Sequence, residues 1–155
     1  MRAVVQRVSR AAVRVDGAEL GAIGRGLCVL LSVAPGDTAA TAARLADRVA
    51  TLRIHSDSEG KMNLDAAAIG AAVLVVSQFT LHADTSRGHR PSFIGAGPPD
   101  LAATLCDAFA AQLRGRGLEV ATGRFGAQMD VELVNDGPVT IVLSSGEPPW
   151  QADAG

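Results

Sequence analysis

Two short segments hold side chains whose types and spacing could do chemistry. The first is Ser77-Gln78-Phe79-Thr80-Leu81, which closes the most apolar run of the chain, residues 72–79. A polar cluster at a strand end, just before a long irregular loop, is where open α/β sheets place their sites. Thr80 or Ser77 could act as a nucleophile, but no base lies near either in sequence. The alternative is a strand end whose hydroxyls are satisfied locally. The second segment is Asn135-Asp136-Gly137-Pro138-Val139-Thr140. Its residue types favour a plain turn. They also suit a site at which Gly137 lets backbone approach a ligand and Pro138 permits a cis peptide.

The common catalytic templates are absent. There is no GxSxG elbow, no HExxH and no phosphate-cradling GxxxxGK[ST]. The only histidines are His55, His82 and His89. His82 and His89 bracket a loop without the further ligands that zinc needs, so the reading calls for no metal and no cofactor.

The flanking patterns say which elements must position these segments. Residues 2–8 and 12–15 are Val-rich and interrupted by polar residues, as strands are. Asp16-Gly17 then predicts a tight hairpin into residues 20–23. Residues 27–34 read as a buried strand ended by Pro35-Gly36. A helix capped by Asp37 or Thr38 is predicted to run to about residue 53, with Leu45, Val49 and Leu52 on one face. The polar stretch 55–63 reads as a loop, residues 72–79 as a second buried strand, and 82–99 as a long loop. Pro98-Pro99-Asp100 opens a second helix with Leu101, Leu105, Phe109 and Leu113 on one face, stopped by Gly115 and Gly117. Short strands are expected near 118–122, 129–134 and 139–144. This order predicts an α/β domain of α+β character: one mixed sheet with two helices packed on it. Residues 1–146 are expected to form that single domain, and 147–155 a loose tail apart from Trp150.

The composition bounds the function classes. The chain has 155 residues, enough for one domain with a sizeable core. Aromatics are 3% of it, with no Tyr, which argues against a base-stacking platform. The net charge of −2 gives no general pull toward polyanions, so any nucleic-acid contact needs a local patch. Lys61 is the only lysine; the other cations are arginines. Cys28 and Cys106 fit no CxxC pattern and read as reduced core thiols. The opening MRAVVQRVSR has charges where a signal peptide has an apolar core, and no apolar run reaches membrane-spanning length. A cytoplasmic setting is expected.

Taken together, SQFTL at 77–81 and NDGPVT at 135–140 resemble the signature pair of D-aminoacyl-tRNA deacylases. Met62-Asn63-Leu64-Asp65 precedes the first motif as it does in that family. Ala83-Asp84-Thr85 and Arg90-Pro91-Ser92-Phe93 follow it, and residues 1–8 resemble the family's opening. The resemblance runs from residue 1 to about 145. It departs at Ala71-Ala72, where a glycine pair is usual, and at His82, where Tyr is usual.

The resemblance implies an enzyme that hydrolyses the ester of D-aminoacyl-tRNA, with aminoacyl-tRNA and a second copy of the chain as partners. It implies a homodimer with sites at the interface, the sheet extended or closed there. Ser77, Gln78, Phe79 and Thr80 would form the wall that receives the aminoacyl group. Gly137-Pro138, as a cis peptide, would enter the partner's site and exclude L residues, with Arg7 holding that loop. Phe125 to Met129 would lie beside the terminal adenine. The 2′-hydroxyl of the tRNA would assist catalysis, and glycyl-tRNA mischarged on tRNA-Ala would also be cleaved. Two rival readings stay open: an RNA- or nucleotide-binding module without catalysis, and a small-molecule esterase using Thr80 or Ser77.

Overall fold

Strand β1 (Arg2–Val15) is the spine of the molecule. The computed structural model describes residues 1–146; the tail expected at 147–155 lies outside the described residues. The break read between residues 8 and 12 is absent, and one strand covers both runs. Opposite Val8 and Arg10 stand Asn135 and Val134, so two steps on β1 face one step on the neighbouring strand. Ser9 is therefore a bulge. The bulge reverses the side-chain alternation, which is why Val8, Ala11 and Val13 all enter one core although 8 and 11 are an odd step apart.

Asp16 and Gly17 turn the chain with φ of 50° and 79°, as a two-residue hairpin requires, into β2 (Ala18–Ile23). Strand β3 (Gly26–Ser32) follows, antiparallel to the first half of β1. Helix α1 (Ala39–Ala50) starts at Thr38, whose hydroxyl accepts from the Thr41 amide while Thr41 reciprocates. The helix stops three residues earlier than expected. Arg53 turns away and donates to Asn63, tying down a small hairpin where the sequence reads as loop. Its strands are β4 (His55–Ser56) and β5 (Met62–Leu64).

Strand β6 (Ala72–Ser77) runs parallel to β3, and β7 (Glu119–Thr122) runs parallel to β6. Helix α2 (Pro99–Gly115) makes the second crossover. Both helices lie on the same side. Leu45, Val49, Leu105, Phe109 and Leu113 pack there with Leu27, Val29, Leu31, Val73 and Val75. The opposite faces of β3 and β6 supply Cys28, Leu74 and Val76 to a second core with Val8, Ala11, Val13 and Ile23. Covered on both faces, β3 and β6 read as continuous apolar runs rather than alternating ones.

The strand order is β2-β1-β3-β6-β7, with β8 (Asp130–Ser144) along the other edge of β1. Gly21 of β2 comes back against Ala121 and Thr122 of β7, so the mixed sheet curls almost into a barrel. The fold is thus one α+β domain with two helices on a mixed sheet, as expected. A further prediction fails: the two strands read at 129–134 and 139–144 are the single strand β8. Between Asn135, opposite Val8, and Thr140, opposite Gln6, β8 spends five steps against two on β1. The three surplus residues form an outward excursion carrying Gly137-Pro138, not a hairpin turn.

Candidate functional site

The end of β6 is pinned into a fixed shape. The Gln78 amide donates to Leu31 O at 2.7 Å, stitching the strand end to β3. Phe79–His82 then form a 3-10 turn. The buried Ser32 hydroxyl lies 3.4 Å from Phe79 O and 2.6 Å from His82 Nδ1. Arg2 donates from Nη1 to Leu81 O at 2.8 Å. Burial, with Arg2 and the N-terminal ammonium nearby, lowers the His82 pKa despite Asp37. The Gln78 side-chain amide donates to Thr80 Oγ1. The Gln78 backbone amide and one side-chain N–H are thereby engaged. The Phe79 and Thr80 amides are the first of the 3-10 turn and make none of the backbone bonds that fasten it. They are turn-initial donors available to an oxygen.

These residues form one wall of an open cleft of about 510 Å³, within the usual size range of small-ligand sites. Ser77, Gln78 and Phe79 line it. Ala96, Gly97, Pro99 and Ala102 line the facing side, where the Gly97 amide donates to Val33 O at 2.7 Å. The run Phe125–Met129, with Val131 of β8, closes the third side. Thr80 is exposed and outside the lining, and the histidine closest to it in sequence, His82, is engaged with Ser32 rather than with Thr80. Among the described residues, no three His, Cys, Asp or Glu side chains converge as metal ligands would.

The excursion of β8 is built elsewhere. Asn135 closes it on itself: its Oδ1 accepts from the Val139 amide at 2.7 Å, and its Nδ2 donates to Thr140 Oγ1 at 3.2 Å. Arg7 fastens it from below, donating from Nε to Asp136 O at 2.9 Å and from Nη1 to Ile54 O at 2.7 Å. The Gly137–Pro138 peptide is cis, and Gly137 has φ of +143°. A β-carbon on Gly137 would stand 2.8 Å from Val139 Cγ2 and 3.1 Å from Arg7 Nη2, so only glycine fits. Behind Arg7 lies His55, fully buried, with neither ring nitrogen hydrogen-bonded to the described residues. Burial first, then Arg25 and Arg7, push its pKa down.

Of the residues singled out from the sequence, Ser77, Gln78, Phe79 and Met129 therefore meet at the cleft. Arg7, Gly137 and Pro138 meet one another at the excursion and do not line the cleft of their own chain. The sequence reading passed over Ala96, Gly97, Ala102 and Val131. Small apolar residues carry no chemical signature, and only the close approach of the Gly97 backbone to Val33 marks the place.

Residues 4–144 match the family described as D-Tyr-tRNA(Tyr) deacylase. The chain is 62% identical over 145 residues to the D-aminoacyl-tRNA deacylase of Anaeromyxobacter dehalogenans, covering 94% of this chain and 97% of that one. It is 59% identical over 145 residues to the D-aminoacyl-tRNA deacylase of Roseiflexus castenholzii, covering 94% and 92%. Among solved structures it is similar to a c-Myc DNA unwinding element binding protein. That likeness has a TM-score of 0.88 at 40% identity and covers 95% of this chain and 100% of the other.

Proposed function

The chain belongs to the D-Tyr-tRNA(Tyr) deacylase family, and from that premise we propose how its cleft carries out the reaction. It is a hydrolase, and the reaction is hydrolysis of the ester between a D-amino acid and tRNA. The observation that carries the reading is the pair of unspent Phe79 and Thr80 amides in the turn that opens at Phe79, a residue of the cleft wall.

An aminoacyl ester is already activated, so the demands are to place a water and to stabilise one oxyanion. Two fixed amides meet the second demand without a charged side chain. Their turn is held by β3 and by Arg2, so little reorganisation is needed when charge develops. The ribose 2′-hydroxyl next to the ester orients the water. The substrate thus supplies the polar group for which the chain has no counterpart beside Thr80, and no side chain forms a covalent intermediate.

Chirality is rejected by shape. Gly137-Pro138 of a second copy enters the cleft and presents rigid backbone to the α-carbon. An L side chain collides with it, while a D side chain points away and glycine passes. Two features support the second copy. The excursion does not line its own cleft, and β8 pairs only with β1 among the described strands, leaving a 15-residue edge with Val131, Val134 and Val142 exposed. Unpaired strand edges of this kind are ordinarily covered. The working form is therefore a symmetric homodimer acting in the cytoplasm, where tRNA is charged.

The test is hydrolysis of D-alanyl- and L-alanyl-tRNA by the purified chain, with sedimentation in the same buffer. Selective cleavage of the D ester by a dimer is expected. A stable, fully active monomer would remove the shared site, and cleavage of both esters at equal rates would remove the gate.

A further inference from the structure

The segment between the two walls of the cleft carries charges that the chemistry above does not use. The chain leaves the cleft at Phe79 and returns to it at Ala96 and Gly97. In between, Asp84 and Ser92 close a loop by two backbone hydrogen bonds, of 2.8 and 2.9 Å. The base of the loop is fastened to the site. Phe93 packs edge-on against Phe79, with ring centroids 5.1 Å apart and planes at 74°.

At the tip, the Gly88 amide turns back toward Thr85 O at 3.4 Å, and Gly88 has φ of +134°. Arg87, His89 and Arg90 surround this turn, all exposed. Neither arginine forms an ion pair among the described residues. The carboxylate of the loop, Asp84, accepts from the Ser86 amide at 2.9 Å, and hydrogen bonds from Ser86 hold it below the usual carboxylate range. The tip is therefore a local cationic patch on a chain of net charge −2.

We propose that this loop is a clamp for the sugar-phosphate backbone at the 3′ end of the substrate RNA, with Arg87 and Arg90 each holding a phosphate. The proposal rests on the deacylase reading and extends it to the macromolecular part of the substrate. An ester in the cleft has a polyanionic strand attached, and that strand must leave by the mouth. A closed loop rooted in both walls carries two exposed guanidiniums, and guanidinium matches phosphate in a bidentate manner. Such contacts position the strand without reading its sequence. The clamp acts on binding and leaves the chemical step to the turn at Phe79.

The experiment compares the full-length chain with its Arg87→Ala/Arg90→Ala variant on two substrates: D-alanyl-tRNA, and D-alanyl-adenosine, which has the ester but no phosphate. On tRNA, KM should rise on the order of tenfold with kcat little changed. The dependence of log KM on log salt should become shallower by about 1.4, the share of two single-strand phosphate contacts. The loss on tRNA should exceed any loss on the adenosine ester by the same tenfold. Arg87→Lys/Arg90→Lys should recover the salt dependence. An equal loss on both substrates, or an unchanged salt slope, overturns the clamp. A variant that sediments as a monomer while the parent is a dimer assigns the loop to subunit contact, and overturns it too. A parent chain inert on both substrates refutes the deacylase reading itself, and the clamp with it.

Discussion

Arg7→Ala is the sharpest perturbation of the proposed gate. Arg7 joins three pieces of the fold: β1, the Ile54 carbonyl ahead of β4, and the Asp136 carbonyl of the excursion. Its side chain is only 12% exposed, so water does little of this work. Hydrogen bonds from a charged donor contribute roughly 1.5–3 kcal/mol each. The 3.5 Å approach to the half-exposed Asp136 carboxylate adds little. Part of the loss is recovered because the Asp136 carbonyl can turn to water, so the substitution should cost about 2–4 kcal/mol. For a domain of this size that is a fall in Tm of roughly 5–15 °C. The bond to Asp136 O is the part that restrains the excursion. If L esters are refused because that backbone cannot yield, removing the bond lowers the cost of yielding by about 1.5–3 kcal/mol. The D/L ratio of kcat/KM then falls by roughly 10–100-fold, since each 1.36 kcal/mol is a factor of ten. Arg7→Lys, with one ammonium for two carbonyls, should fall between. The assay is kcat/KM on D-alanyl- and L-alanyl-tRNA beside a thermal melt. A variant that melts lower yet discriminates like the parent would refute the gate. An unchanged Tm would refute the assigned worth of the two bonds.

Three further outcomes are expected. Thr80→Ala should keep appreciable activity, whereas tRNA ending in 2′-deoxyadenosine should be a poor substrate. A loss of more than about four orders of magnitude in the former would make Thr80 part of the chemistry, and full activity on the latter would remove the 2′-hydroxyl. Glycyl-tRNA should be hydrolysed while L-alanyl-tRNA is spared, because glycine offers nothing to exclude; equal sparing of both would mean that the D side chain is recognised positively. His55 has a pKa pushed down by burial and by Arg25 and Arg7, so the unfolded chain takes up its proton first. Its contribution to stability is complete above the unfolded value of about 6.5 and declines as pH falls below it. Melts at pH 7.5 and 5.5 should show a smaller acid loss for His55→Phe than for the parent. His82, shifted the same way, keeps that loss from vanishing.

Much of the fold is legible in the sequence because local chemistry and tertiary structure agree. Asp16-Gly17, the Thr38 cap and the Leu105–Phe109–Leu113 stripe each specify one local state. The two misread strand breaks share one cause. At Ser9, and again at Asp136 to Val139, residues that look like strand breakers are absorbed by irregularities of a strand whose pairing comes from far along the chain. Single-sequence periodicity sees only the interruption. The site divides in the same way. Ser77, Gln78 and Phe79 are visible as polar residues closing an apolar run, and the facing wall of Ala96, Gly97 and Ala102 is not. Only the fold shows the Gln78 backbone amide bonded to Leu31 O, which leaves those of Phe79 and Thr80.

Strand β1 acts as a ruler between the two motifs. Arg2 fastens the cleft wall through Leu81 O, and Arg7 fastens the excursion through Asp136 O. Five residues of strand separate the two anchors, about 17 Å at 3.3–3.4 Å per residue. Five is also an odd step, and the bulge at Ser9 lies beyond it, so the two guanidiniums leave opposite faces of the sheet. In keeping with this, Gly137 and Pro138 do not line the cleft of their own chain. The proposed mechanism, which uses both, takes them from two chains. A mechanism that uses only the cleft has no backbone filter and must read chirality from its walls. Those walls combine small or flexible residues, Ala96, Gly97, Ala102 and Met129, with the rings of Phe79 and Phe125. The proposed gate ties the stereochemical question to the oligomeric one: a monomer that discriminated D from L would have to do so with these side chains alone.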